Sequence, residues 1–224
     1  MRTVGTESWR FAHDIDQGLH VLLYLRDTLR LVVENGPIVP PPLDGTLPDR
    51  SELLDTPTRI QAARDWSAWW ERVVAERARA ELGPPPMDPT HQRWVTEVAY
   101  SHHLSFDPPE WSSLASTPAL RSAARTLWKE ASHWFTPARR PYLPPSSRDI
   151  FAWERVRHTA ERVAATSCVD ISALNGCALV VVVKDIWWEL IGPGAAICSV
   201  GAARDPEVTE AILTAVFISQ LEAI

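Results

Sequence analysis

Apolar positions recur at three- and four-residue intervals through most of the chain and give way to short continuous runs only near its end. Between residues 11 and 34, Ile15, Leu19, Leu22, Leu25, Leu29 and Val32 keep helical spacing, and Asn35-Gly36-Pro37 supplies a stop. A hairpin with arms at 19–25 and 29–33 competes for these residues, but their polarity does not alternate cleanly, so the helix is favoured. Trp66, Trp69, Trp70, Val73 and Val74 make a second stripe, on a helix over about 57–82. Trp94, Val95, Val98 and Ala99 form a third, in a helix opened by Asp88-Pro89. Leu120, Ala124, Leu127, Trp128, Ala131, Trp134 and Phe135 form a fourth. Ile150, Trp153, Val156, Ala160 and Val163 form a fifth, with Ser147 or Asp149 as its cap.

After Cys168 the pattern changes. Residues 177–183 are apolar on both faces, which predicts a central strand covered on both sides. A short strand over 169–174 and the Asn175-Gly176 hairpin signal precede it; Lys184-Asp185 turns it into 186–191, and Gly192-Pro193-Gly194 turns again into 195–200. Short connections predict an antiparallel meander of three or four strands. Asp205-Pro206 then opens a last helix on which Val208, Ala211, Ile212, Ala215 and Val216 share a side, widened by Leu213, Phe217 and Leu221. The expected fold class is α+β: a predominantly helical N-terminal part, a small antiparallel meander and a C-terminal helix.

One pattern occurs twice. Residues 53–64, with Thr56-Pro57 and Ala62-Ala63-Arg64, match residues 114–125, with Thr117-Pro118 and Ala123-Ala124-Arg125. A hydroxyl cap followed by proline starts a helix in each case, with Asp55 or Ser116 as the competing caps. An internal duplication is expected over about 51–86 and 112–147, within a helical region 1–145 joined by proline-rich connectors. Residues 146–224 form the α-β-α remainder, as a second domain or as part of one continuous domain. The connector 36–50 reads as a rigid extended arm of the same molecule rather than as a ligand for a proline-recognising partner.

Composition narrows the function without naming it. A formal charge of -6 argues against a nucleic-acid surface. No run is long and apolar enough to span a bilayer, and Cys168, Cys177 and Cys198 form no C-x-x-C, which fits a reducing cytoplasm. His102-His103 with Asp107 and Glu110 is the one local set with several metal-ligand types, but adjacent helical histidines diverge and no zinc signature occurs, so a hydrophilic helix end is the better reading. Asp16 and His20 could pair across one helical turn, as ordinary electrostatics. No nucleophile elbow or phosphate-binding loop is present, and no catalytic, cofactor or metal residue is assigned.

Eleven tryptophans remain to be explained, most at core spacing. Trp187 and Trp188 fall on opposite faces of one short strand: one can fill the core while its neighbour faces outward or meets the last helix. Packing of both is favoured, but an exposed ring would be a candidate anchor for a partner. Phe217, on the greasy last helix, is a third candidate interaction residue. The expected function is a non-enzymatic interaction or scaffold protein with a protein partner or a second copy of itself; adaptor, antitoxin and immunity roles fit equally. The alternative is a small-ligand binder or enzyme with a dispersed site between helices and sheet.

Overall fold

The computed structural model describes residues 9–139 and 150–223, apart from 35, 37 and 84–105. A strand that is apolar on both faces belongs in the middle of a sheet with cover on both sides, and the architecture follows from that demand. β1 (Arg10–Asp14) and β2 (Asn175–Val181) pair in parallel. β3 (Trp188–Gly192) and β4 (Ala195–Ser199) pair antiparallel, and β4, buried at every residue, inserts parallel to β2. The result is a four-stranded mixed sheet in the order β1-β2-β4-β3.

Side chains along β2 alternate between two cores. Cys177, Leu179 and Val181 enter the first, with α1 (Gln17–Thr28), α2 (Thr56–Leu82) and α3 (Pro118–Arg139). Ala178 and Val180 enter the second, with α4 (Trp153–Ser167), α5 (Val200–Arg204) and α6 (Pro206–Leu221). The described chain is therefore α+β with a helical majority.

Aspartate and proline set the helix starts. Asp55 accepts from Thr58 N at 2.9 Å with Pro57 behind it, and Asp205 accepts from Glu207 N and Val208 N with Pro206 behind it. The two copies of the repeated pattern share more than a helix: 3₁₀ turns at Ser51–Leu53 and Ser112–Leu114 precede them, and both Ala-Ala pairs are buried. They differ at their first residue, since Leu53 is exposed and Leu114 is not. They differ also at the cap, where Thr117 donates its hydroxyl back to Leu114 O.

Three expectations need correction. Residues 10–14, expected within the first helix or just before it, form β1, and the helix starts only after the Asp16 cap. The sheet is not an antiparallel meander. Short connections did fix the strand directions, β2 against β3 and β3 against β4, but not which strands are neighbours. β4 carries only small and apolar residues and takes the centre; β3, with its half-exposed Trp-Glu-Leu, takes the edge. The third correction concerns Asn175-Gly176, which begins β2 rather than turning a hairpin, while 171–173 form a 3₁₀ turn. The helix opened by Asp88-Pro89 and the caps Ser147 and Asp149 lie outside the described residues.

Glycine at 176 answers to packing. A Cβ there would fall 2.6 Å from Val216 Cγ1 on α6, and Val216 is branched and fully buried. Gly176→Ala is expected to lower stability by about 1–3 kcal/mol through overpacking. The readout is a lower urea midpoint at unchanged slope. An unchanged midpoint would mean that α6 has room to retreat.

Candidate functional site

β3 forms one edge of the sheet, with β1 at the other. Its register places Trp188 opposite Cys198, Glu189 opposite Ile197 and Leu190 opposite Ala196. Just before it, Ser199 N donates to Trp187 O at 2.8 Å, while Trp187 N donates to Ser199 Oγ at 3.1 Å. Residue 187 therefore faces β4. Because bonding alternates along an antiparallel pair, Glu189 faces β4 too, and the backbone groups of Trp188 and Leu190 point away from the sheet. Among the described residues nothing pairs with that outer edge.

The side chains along this edge are unusual for an unpaired strand. Natural edges are blunted by lysines, prolines, bulges or inward charges. Within β3 Glu189 and the bulge near Leu190 are such devices, with Pro193 just beyond the strand and the exposed Lys184-Asp185 before it, and the rest of 186–191 is apolar. Ile186 is 58% exposed and Leu190 38%. Trp187 is half-buried against the first core and Trp188 against the second, so the two rings flank the edge from opposite faces as the alternation predicts. Phe217 sits elsewhere: it is fully buried in the second core, where its ring meets Phe11 and Trp9.

On the first face a groove of about 510 Å³ runs beside β3, walled by Trp187 and Glu189 on one side and by Val32, Val39 and Pro40–Pro42 on the other. The second wall is the extended arm, and three side chains hold it. Arg26 donates to Pro40 O at 2.6 Å and to Pro41 O at 2.9 Å; Asp27 accepts from Leu43 N at 2.7 Å; Trp70 Nε1 donates to Ile38 O at 2.9 Å. Arg26 and Asp27 are themselves paired, with little exposed surface on either. Val32, at the rim, is 89% exposed. The arm is thus an internal strut, and it leaves a channel whose lining holds the paired Arg26 and Asp27 among apolar residues, with a separate carboxylate at Glu189.

The residues with catalytic potential are used structurally. His20 is buried, its Nδ1 on Asp16 O at 2.7 Å and its Nε2 accepting from Val182 N at 2.9 Å, which fixes the proton on Nδ1 and ties α1 to the end of β2. The carboxylate of Asp16 caps α1 through Leu19 N rather than pairing with His20, and it also meets Arg77. His158 is exposed beside Arg157, and His102-His103 lie outside the described residues. Among the described residues no three His, Cys, Asp or Glu side chains converge as metal ligands. Cys177 and Cys198 are buried, and burial pushes the Cys177 thiol up to about 12, away from the reactive thiolate. Cys168, unlike the other two, is exposed at the end of α4. A second depression of about 490 Å³ lies at the carboxyl ends of β2 and β4, but Ser199 Oγ already fills the adjacent amides of Trp187 and Ala202.

His13 carries a pH signature. Its ring packs 5.5 Å from Phe151, and burial lowers its pKa from the ordinary 6.5. Below that value the unfolded chain takes up a proton that the folded chain resists, so this contribution to stability falls as pH falls. Between pH of about 7.5 and about 5.5 the wild type is expected to lose more of its urea midpoint than His13→Phe. Comparison with the variant cancels Glu81, whose carboxyl is raised by burial and by Asp14 and works in the opposite sense. Equal losses would remove His13 as the cause.

In comparisons with known proteins, no family model, no curated protein and no solved structure matches the chain. No helix among the described residues is long and apolar enough to cross a membrane.

Proposed function

We propose that this chain is a non-enzymatic protein-interaction module whose docking surface is the outer edge of β3 with its flanking tryptophans. One observation carries the reading: the outward backbone groups of Trp188 and Leu190 are unpaired among the described residues, in a strand that exposes Leu190 and directly follows the exposed Ile186 and half-buried Trp187. Such an edge is a template for another chain, and leaving it open invites aggregation unless a partner covers it. Large exposed apolar side chains around a half-buried tryptophan are also the usual make-up of an interface anchor. The unpaired cysteines suit a reducing cytoplasm as the place where the partner is met.

Site-specific photo-crosslinking in the native host tests this. A benzophenone side chain in place of Leu190 is expected to give one dominant adduct with a second protein. The same group in place of Ile60, 55% exposed on α2, gives none of that species. Adducts of equal yield and identity from the two positions, or none from position 190, would sink the reading.

A further inference from the structure

Resting on that reading, the geometry points to the chemistry of the occupant: we propose that β3 takes up an extended segment of another protein in which apolar and basic residues alternate, added as a fifth strand. The backbone part follows from the outward-facing groups of Trp188 and Leu190, which offer N–H and C=O pairs at every second residue. The side-chain part follows from the two faces. On the second face an added strand lies beside the exposed Leu190 and the half-buried Trp188. On the first face its alternate residues lie beside Glu189 and Trp187, over the groove walled by Val32 and Pro40–Pro42.

Lysine or arginine suits the first face. An aliphatic stem lies on Trp187 and the proline wall while the charged head reaches the Glu189 carboxylate, and a cation near an indole gains further attraction. Apolar residues suit the second face. The net charge of -6 favours a basic segment at longer range.

A second copy of this chain fits less well. In the two-fold register that pairs the outward groups of Trp188 and Leu190 with each other, the two Glu189 carboxylates face one another directly. Like charges opposed across a strand pair are destabilising, and neither copy brings a basic residue within its β3.

The test uses a fluorescein-labelled heptapeptide of alternating valine and lysine, Val at both ends, read by anisotropy against the full chain. It is compared with the same peptide carrying glutamate in place of lysine. The valine-lysine peptide is expected to bind at least about tenfold tighter than its glutamate counterpart, and Glu189→Lys should invert the preference. N-methylation at alternate peptide bonds supplies a readout that leaves the protein untouched. Methyl groups in one phase should weaken binding about tenfold or more and in the other phase far less, because only one phase donates to the edge. Leu190→Pro, which removes an outward N–H, should behave like the disruptive phase.

No binding of either peptide, or binding indifferent to methylation phase, overturns the inference. Concentration-dependent dimers in sedimentation that Leu190→Pro disperses overturn it as well, by giving the edge to a second copy. If the peptides fail while position 190 still crosslinks one partner in the host, the inference falls and the interaction reading stands. If both fail, the reading falls with it.

Discussion

Trp66→Ala is expected to lower the unfolding free energy by about 3–5 kcal/mol, against a total of roughly 5–15 kcal/mol for an ordinary domain. Trp66 has no exposed surface and sits between α1 and the rest of α2. Its ring stacks on Trp70 with centroids 5.4 Å apart, and the Arg26 guanidinium lies 5.6 Å from it on another side. Its Nε1 donates to Leu22 O at 2.7 Å, the one polar requirement of an indole met inside the core. Alanine removes the ring, the stacking and that bond together and leaves a cavity that two rigid helices cannot close. Trp66→Phe keeps most of the volume and is expected to lose roughly a third to a half as much. Urea midpoints of the three proteins decide it. A loss under about 1 kcal/mol for alanine would mean that the site collapses without penalty, contrary to the close packing of an interior.

How much of this was legible beforehand depended on whether a feature was local. The stripe Trp66, Trp69, Trp70, Val73, Val74 has one explanation, a helix burying one face, and all five are buried. The period of two at Trp187-Trp188 likewise put the rings on opposite faces. β1 was hidden because Phe11, Ile15 and Leu19 are spaced by four, so a five-residue strand reads as the start of the helix behind it. The Asp16 cap was the local signal that could have parted them. Strand adjacency was not local. Whether β3 lies beside β2 or beyond β4 is decided by burial of β4 from both sides, and the open edge follows only from that order. Phe217 shows the same limit: an apolar helix position suits a core and an interface equally, and only the packing of α6 on β2 makes it core. Nor did the groove announce itself. Arginine is a surface residue by default, and nothing in the spacing of Arg26 told that it would be buried under a proline arm.

That arginine carries the second large effect. Arg26→Ala is expected to lower stability by about 3–5 kcal/mol, because removing one member of a buried pair strands the other. Asp27 would lose its cationic partner in a place with little access to water, and the carbonyls of Pro40 and Pro41 would lose the guanidinium that donates to both. Lysine is no substitute, since an ammonium has three donors for the four hydrogen bonds that the guanidinium makes and no planar face to lay on Trp66. Arg26→Lys is therefore expected to recover less than half of the loss. Arg26 also touches Trp66, so the double variant Arg26→Ala/Trp66→Ala should be less destabilised than the separate losses added, by about 0.5–2 kcal/mol. Limited proteolysis supplies the structural readout: cleavage within 38–47 should speed up in Arg26→Ala under conditions where the rest of the chain stays protected. The consequence for function runs through the groove. With Pro40 and Pro41 held only through their neighbours Ile38, Pro42 and Leu43, the wall facing Trp187 loosens while the backbone edge of β3 is intact. The valine-lysine peptide should then lose affinity yet keep its dependence on methylation phase. Loss of both would mean that the arm shapes β3 itself, and loss of neither would mean that the groove takes no part in binding.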